Sequence, residues 1–200
     1  MTGRPAVPKK KRATRDGVPL VDFSEKLLAI PGSTHDLIKR YLDHITIQHY
    51  SAQTIRRYRS DLLQWAAFCE ERGLTQSNAI TRQHLERFQA SLFRYRKANG
   101  DALSLRTQKM RLVVVRNFFS WAVKKHFLPA NPAADLDLPR PAQVLPVSLT
   151  PDEVRRVLAA PDPEDLTGLR NRALLETLYS TGIRRAEVTR LEVDDIEAST

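Results

Sequence analysis

The chain of 200 residues carries 32 Lys and Arg side chains against 23 Asp and Glu, a formal net charge of +9. Its hydrophobic share of 42% allows a packed core and excludes a wholly disordered chain. The single cysteine, Cys69, excludes an internal disulfide framework and fits a reducing compartment, and no apolar run approaches the ~18 residues that span a bilayer. We therefore expect a basic cytoplasmic protein without a membrane partner.

The positive charge is unevenly distributed along the chain. Residues 1–32 carry a net +4, residues 33–128 hold 17 basic and 7 acidic side chains for a net +10, and residues 129–200 carry a net −5. The middle segment alone exceeds the net charge of the whole chain. This concentration predicts a dedicated nucleic-acid-binding surface within residues 33–128.

Residues 1–32 are predicted to form a basic arm that is disordered or extended. The segment contains Pro5, Pro8 and Pro19 and little apolar periodicity, so it cannot bury enough surface to offset the entropy of ordering. A run of four basic side chains is typical of a nuclear import signal, of a solvated tail or of a phosphate-binding tail. The charge of the neighbouring segment favours a DNA-contacting arm. The run consists of Lys9, Lys10, Lys11 and Arg12.

Residues 33–128 are predicted to form an all-α domain, because apolar side chains recur every three to four residues in four stretches. These stretches run from about residue 34 to 49, 52 to 72, 81 to 95 and 104 to 128, and the apolar stripe of the fourth includes Met110, Val114, Asn117 and Phe118. Ser33 or Thr34 is expected to cap the first helix, and Ser51 the second. Trp65 lies on the apolar stripe of the second helix, which predicts a core position and not a stacking platform for a base.

The polar faces of two of these helices are unusually basic, and they supply the candidate DNA-binding residues. Cationic side chains on a rigid frame bind phosphates and release counterions, which is the chemistry of a nucleic-acid-binding surface. Any one of these side chains alone is more typical of a solvated surface charge, whereas the set with net +10 favours nucleic-acid binding. The candidates are Arg56, Arg57 and Arg59 on the second helix and Arg106, Lys109, Arg111 and Arg116 on the fourth.

Five prolines and no glycine within residues 129–147 predict an extended, semi-rigid linker, and the sign of the net charge reverses across it. Residues 148–200 are predicted to form the first part of a second domain. Thr150 and Glu153 form a capping box around Pro151 at the first helical position, which predicts a helix that ends before residue 161.

A further helix is expected from about residue 166 to 179, with Leu169 and Leu174 facing inward. A turn that includes Gly182 then leads into a short helix. Residues 192–200 resemble the start of a strand.

Several stretches, in order along the chain, resemble a tyrosine recombinase of the phage-integrase and Xer kind over about residues 33–200. A lone Thr-Gly-x-Arg would be weak evidence, whereas the ordered series is strong. The matching stretches are Ser51-Ala52-Gln53-Thr54 followed by Tyr58, Asp61 and Leu62; Asn131-Pro132-Ala133; Leu149-Thr150-Pro151-Asp152-Glu153; and Arg170-Asn171-Arg172-Ala173-Leu174-Leu175 leading to Tyr179-Ser180-Thr181-Gly182-Ile183-Arg184 and Glu187.

The resemblance implies a mainly α fold, in which a four-helix SAM-like core-binding domain precedes the first helices, and the first strand, of a mixed α+β catalytic domain. It implies that the complete protein recombines DNA at specific sites, by cleaving a strand with a tyrosine hydroxyl, forming a 3′-phosphotyrosyl link and religating. The implied partners are double-stranded DNA and further copies of the protein, as a dimer or tetramer on DNA. Neither a metal nor a cofactor is implied.

Within this resemblance, Arg184 matches the first of the family's two active-site arginines, and Glu187 is its implied supporting residue. A pentavalent phosphate gains negative charge that needs fixed cationic donors, and the guanidinium fork of arginine contacts two oxygens while it stays protonated. Glu187 follows three residues later, on the same side of the helix. The alternative for Arg184 is a surface side chain at a helix start, where the helix dipole disfavours a cation.

The 200 residues end before the positions at which the family has its hairpin lysine, its His-x-x-Arg box, its second His or Trp and its nucleophilic tyrosine. None of the five tyrosines in the chain replaces that nucleophile by position. We therefore expect these residues to bind DNA and to be catalytically inactive by themselves. Two alternatives stay open: a DNA-binding module without chemistry that occupies a recombination site, and a basic helical domain that binds proteins.

Overall fold

The structure, a computed structural model, describes residues 30–143, 145 and 147–195. The described residues fall into two compact units, divided between Ala142 and Gln143. Within these ranges the α-helices are α1 (Thr34–Ile47), α2 (Ala52–Glu70), α3 (Arg82–Arg94), α4 (Leu105–Lys124), α5 (Pro151–Ala159), α6 (Leu166–Thr181) and α7 (Arg185–Val188), with 3₁₀ helices at Ser77–Ala79 and Val193–Asp195.

The four helices predicted for the first unit are confirmed as α1 to α4, and serine caps fix three of their starting points. The hydroxyl oxygens of Ser33, Ser51 and Ser104 accept hydrogen bonds from backbone N–H groups three residues later, at 3.1, 3.2 and 3.1 Å. Each bond satisfies a donor that the first helical turn leaves without a partner in the helix. The mainly α fold is confirmed, since the described residues contain two isolated β-bridges and no strand.

The core of the first unit is built around Trp65 of α2, whose side chain is fully buried as predicted. Its ring centroid lies 5.1 Å from that of Phe88 on α3 and 6.0 Å from that of Phe119 on α4, both in edge-to-face geometry. Phe68, one turn along α2, stacks on Trp65 at 5.7 Å. Aromatic pairs of this kind add to the hydrophobic gain from burial. One aromatic cluster therefore joins three of the four helices.

Cys69 lies one turn after Trp65 and is 1% exposed. Burial raises the pKa of its thiol to about 12, although Arg72 acts in the opposite direction. The thiol therefore stays protonated at neutral pH and packs as a small apolar group.

The inward face of α4 differs from the apolar stripe that the sequence predicts. Met110 and Asn117 lie on that stripe, yet Met110 is 37% exposed and Asn117 is also exposed. The fully buried side chains include Leu112, Val115 and Phe118. Because α4 packs against α1, α2 and α3, a broad face of the helix is covered instead of one narrow stripe.

The first part of the predicted linker packs against the first unit. Ala133 and Leu136 are buried among the core side chains. The Asn131 side chain holds this turn, because its Nδ2 donates to Ser120 Oγ at 3.0 Å and its Oδ1 accepts from the Ala133 N–H at 2.9 Å. Residues 129–138 thus differ from the extended connector that their prolines predict.

Two backbone hydrogen bonds hold the residues before α1 against the segment that follows α2. The Thr34 N–H donates to the Thr75 carbonyl at 2.9 Å, and the Ser77 N–H donates to the Gly32 carbonyl at 3.3 Å. Residues 30–32, which the sequence assigns to the end of the arm, therefore form part of the first unit.

His35, the second residue of α1, is 2% exposed, and burial lowers its pKa below the ordinary 6.5 while the charge of Glu70 acts in the opposite direction. The folded state holds the neutral ring while the unfolded state takes up a proton. We expect the free energy of unfolding to fall as the pH drops below about 6.5 and to level off below the folded-state pKa. Urea denaturation between about pH 8 and pH 5 tests this sign.

In that experiment, the wild type should lose stability relative to His35→Gln as the pH falls. The exposed His49 provides the control, since His49→Asn should keep the wild-type profile. Parallel profiles for the wild type and His35→Gln would contradict the assignment.

The second unit begins with the predicted capping box of α5. Glu153 Oε2 accepts from the Thr150 N–H at 2.8 Å, and Thr150 Oγ1 accepts from the Glu153 N–H at 3.3 Å. The hydrogen bonds from the Thr150 backbone and hydroxyl lower the pKa of Glu153. The two orphan N–H groups at the start of α5 are thus satisfied reciprocally.

The structure corrects two predictions for the second unit. Leu169 and Leu174 are 53% and 39% exposed, because within the described ranges α5 and α7 cover only part of α6. The expected strand start is instead the 3₁₀ helix at Val193–Asp195, whose first turn is closed when Asp195 Oδ2 accepts from the Glu192 N–H at 2.9 Å. The rest of that prediction, residues 196–200, lies outside the described residues.

Candidate functional site

The three arginines predicted on α2 are all exposed. At roughly 100° of rotation per residue, Arg56 lies near the middle of the outer side of α2, whereas Arg57 and Arg59 lie towards its two opposite edges, with Arg57 on the edge beside Asp61. The Arg57 Nε is 3.6 Å from Asp61 Oδ2, and the Arg57 side chain stays 45% exposed. Arg57 is therefore the one of the three that lies towards α4.

Three of the four cations predicted on α4 share one stripe of its surface. Arg106 is exposed, and Lys109 and Arg116 are half-buried. These side chains lie within about a quarter turn of one another, and Lys124 falls on the same stripe and is exposed. α4 contains no acidic residue. We call Arg106, Lys109, Arg116 and Lys124, together with Arg56, Arg57 and Arg59, the basic surface.

Arg111 is the exception, because the structure places it in the interior and not on the basic polar face where the sequence placed it. Its side chain is 3% exposed and its Nε lies 3.5 Å from Asp61 Oδ1. The sequence did contain a signal for this burial, because five residues of α4 recur at spacings of three and four and all five are buried. They are Gln108, Arg111, Val115, Phe118 and Ala122.

A second polar contact joins α2 to α4. The Asn117 Nδ2 donates to the Tyr58 hydroxyl at 3.5 Å, and the Tyr58 ring stacks on Tyr41 of α1 at 6.4 Å. Neither Asn117 nor Lys124 was among the predicted site residues. The spacing of Lys124 from Arg106 and Arg116 would have revealed it, whereas Asn117 was assigned to the wrong face.

Other predicted elements are not part of the described site. Lys9, Lys10, Lys11 and Arg12 of the arm lie outside the described residues. In the described part of the chain, no group of three His, Cys, Asp or Glu side chains is placed to hold a metal ion. No helix there combines the length and apolar character needed to cross a bilayer.

Arg184 lies in the turn between α6 and α7. Gly182 ends α6 with a φ of 65°, a left-handed conformation that favours glycine, and its N–H donates to the Leu178 carbonyl at 3.0 Å. Thr181 Oγ1 accepts from the Ile183 N–H at 3.4 Å. The chain then becomes extended at Arg184, which is the N-cap residue of α7. A hydrogen-bonded turn therefore fixes the backbone from which this side chain projects.

Glu187 holds both the backbone and the side chain of Arg184. Its Oε2 accepts from the Arg184 backbone N–H at 2.7 Å, and its Oε1 accepts from Arg184 Nη1 at 3.2 Å. The Arg184 side chain is 86% exposed. The guanidinium is thus oriented from one side by a carboxylate and open to solvent on the others.

Two family profiles match the chain. The profile of the phage integrase N-terminal SAM-like domain matches residues 38–126. The profile of the phage integrase family matches residues 148–200. The first match contains most of the basic surface, and the second contains Arg184 and Glu187.

Curated proteins with similar sequences include tyrosine recombinases. The chain is 40% identical over 176 residues to Tyrosine recombinase XerC 2 of Ralstonia nicotianae, which covers 86% of this chain and 51% of the relative. It is 36% identical over 167 residues to Tyrosine recombinase XerD of Mycobacterium tuberculosis, which covers 80% of this chain and 53% of the relative. The chain spans about half the length of the curated relatives it matches.

Solved structures show the same fold. A lambda integrase(75-356) dimer bound to a COC′ core site matches with a TM-score of 0.60 at 18% identity, over 83% of this chain and 56% of that chain. A lambda integrase dimer bound to a COC′ core site matches with a TM-score of 0.59 at 18% identity, over 82% and 43% of the two chains. By its two family profiles and its relatives, the chain belongs to the phage integrase family of tyrosine recombinases.

Proposed function

We propose that this chain binds double-stranded DNA through the basic surface. The observation that carries the proposal is the stripe on α4, where four cations follow one another on a helix without acidic residues. From Arg106 to Lys124 the helix rises about 27 Å, which corresponds to about eight base pairs of B-DNA. The exposed arginines of α2 add positive charge to the same unit, and the arm would add the four cations at Lys9–Arg12.

We propose further that the complete protein recombines DNA at specific sites, as the names of its relatives indicate for them. In this reaction a tyrosine hydroxyl attacks a phosphodiester, the bond to the 5′ oxygen breaks, and a 3′-phosphotyrosyl link holds the strand until another 5′ hydroxyl reverses the step. Arg184 would donate two N–H groups to the phosphate oxygens on which negative charge accumulates. Glu187 would keep that guanidinium oriented before the phosphate arrives.

The 200 residues contain Arg184 and Glu187 but none of the other catalytic boxes that the family resemblance implies. We propose that by themselves they bind DNA without cleaving it, so a DNA-binding module without chemistry is the second candidate function. The nucleotide sequence after codon 200 discriminates the two, because the recombinase proposal requires the remaining boxes there.

We also propose that the complete protein self-associates as a dimer or tetramer on DNA and acts in the cytoplasm. The support for self-association is that the solved lambda integrase structures are described as dimers bound to a core site.

DNA binding by the whole chain should weaken steeply with salt. Because each phosphate contact contributes about 0.9 to the slope of log affinity against log salt, the triple variant Arg106→Ala/Lys109→Ala/Arg116→Ala is expected to lower that slope by about 2 to 3. Fluorescence anisotropy with a labelled duplex of ~30 bp, titrated from low to moderate salt, measures this slope.

A matched control distinguishes the effect of where the cations lie from the effect of the total charge removed. The triple variant Arg87→Ala/Arg94→Ala/Arg155→Ala removes the same charge from exposed positions outside α2 and α4. It should leave most of the slope intact. Equal losses in both triple variants would show that the basic surface is not the binding site.

A further inference from the structure

One carboxylate, that of Asp61, bridges two arginines of very different exposure. Its Oδ1 lies 3.5 Å from Arg111 Nε, and its Oδ2 lies 3.6 Å from Arg57 Nε. The Arg111 side chain is 3% exposed and the Arg57 side chain is 45% exposed, while Asp61 itself is 10% exposed. Asp61 thus lies between an interior cation on α4 and a surface cation on α2.

The two arginines differ in what they are able to do. Arg111 is enclosed in the core, where a buried carboxylate and a buried guanidinium each require compensation. Arg57 is held only at a distance typical of a loose ion pair, and an exposed pair of that kind is weak and easily exchanged. A DNA phosphate at the basic surface would compete with Asp61 for Arg57, but not for Arg111.

We propose that Asp61 and Arg111 form a positioning pair for DNA binding: Asp61 holds Arg57 in a loose ion pair while no DNA is bound, and Arg111 keeps Asp61 compensated when the Arg57 guanidinium moves to a phosphate. This inference rests on the proposed DNA-binding function. Without Arg111, Asp61 would retain Arg57 as its counter-ion and withdraw it from DNA. In the wild type, Arg111 would therefore strengthen DNA binding without touching DNA.

The competing explanation is that the Asp61–Arg111 pair only braces α2 against α4. The two explanations differ in how Arg111 and Arg57 are coupled. A brace predicts that the losses from Arg111→Met and Arg57→Ala add, since they have separate causes. The positioning pair predicts that they do not add, because both variants remove the same phosphate contact.

The test uses the whole chain and a labelled random-sequence duplex at low salt. Arg57→Ala and Arg111→Met are each expected to weaken binding by about fivefold, and the double variant should bind within about twofold of Arg57→Ala. As a matched control, Arg56→Ala on the outer side of α2 should add its full loss to that of Arg111→Met. Additive losses for Arg57→Ala and Arg111→Met would overturn the inference.

If Arg111→Met does not fold, a second variant that removes the charge of Asp61 as well as that of Arg111 replaces it in the test. Asp61→Asn/Arg111→Met removes both charges of the interior pair, so Arg57 is no longer shared with a carboxylate. This double variant is expected to bind DNA at least as tightly as the wild type, and Arg57→Ala should cost more affinity in it than in the wild type. Weaker binding by the double variant, or an equal cost of Arg57→Ala in both backgrounds, would overturn the inference.

The outcome for the wild type separates this inference from the DNA-binding proposal. A wild-type chain that fails to bind the duplex at low salt contradicts the proposed function, and the inference fails with it. A wild-type chain that binds, with additive losses in the variants, contradicts the positioning pair alone.

Discussion

Replacing Arg184 by alanine is expected to lower covalent attachment to DNA by about 10²–10³-fold while duplex affinity changes little. The reason is that the exposed guanidinium, held by Glu187, would stabilise charge that appears on the phosphate only in the transition state. The measurement requires the remaining catalytic boxes. It therefore uses a chimera in which residues 1–200 are followed by the C-terminal part of the Ralstonia nicotianae relative, with a nicked duplex that traps the phosphotyrosyl link.

The neighbouring arginine provides the control for this experiment. Arg185 also lies at the start of α7 and is exposed, and Arg185→Ala should leave the yield of covalent complex within a few-fold of the wild type. Glu187→Gln should give an intermediate loss, because the amide still accepts one hydrogen bond but no longer offers a charge to the guanidinium. Persistence of the covalent complex at wild-type levels in Arg184→Ala would refute the catalytic assignment.

Replacing Trp65 by alanine is expected to destabilise the first unit by about 3–5 kcal/mol. The indole is fully buried and contacts aromatic rings on α2, α3 and α4, so its removal leaves a cavity that none of these helices fills alone. A loss of this size is a large part of the ~5–15 kcal/mol that stabilises a typical domain. Urea denaturation followed by circular dichroism measures it.

Phe93 provides an aromatic control on the surface. Its side chain is 63% exposed, so Phe93→Ala should change the free energy of unfolding by less than about 1 kcal/mol. If Trp65→Ala unfolds completely, Trp65→Phe should show a smaller loss that is still measurable. A Trp65→Ala protein as stable as Phe93→Ala would mean that the described core is wrong.

The helices of the first unit could be predicted from the sequence because their signals are local. A serine before each apolar run and a repeat of three to four residues specify where α1, α2 and α4 begin, and Trp65 follows from its place in such a repeat. The spacing of Glu187 from Arg184 likewise predicts that one carboxylate reaches back to the start of a helix.

The errors arose where the environment of a side chain is set by another helix. Arg111 fits the repeat of the inward face of α4, but a buried arginine requires a carboxylate, and that carboxylate lies on α2, far away along the chain. The exposure of Leu169 on α6 has the same origin. The spacing of apolar residues shows that α6 has an apolar face, but it does not show which segment packs against that face. Contacts between distant segments were the missing information in both cases.

Because Cys69 is buried, its thiol is a native probe for opening of the core of the first unit. The chain has a single cysteine, and its thiol is 1% exposed with a pKa raised to about 12. A maleimide reacts with the thiolate, so labelling requires an excursion that brings this position to solvent. The labelling rate therefore gives the equilibrium between closed and open forms of the helix bundle, with no engineered probe, and DNA that stabilises the bundle would slow it.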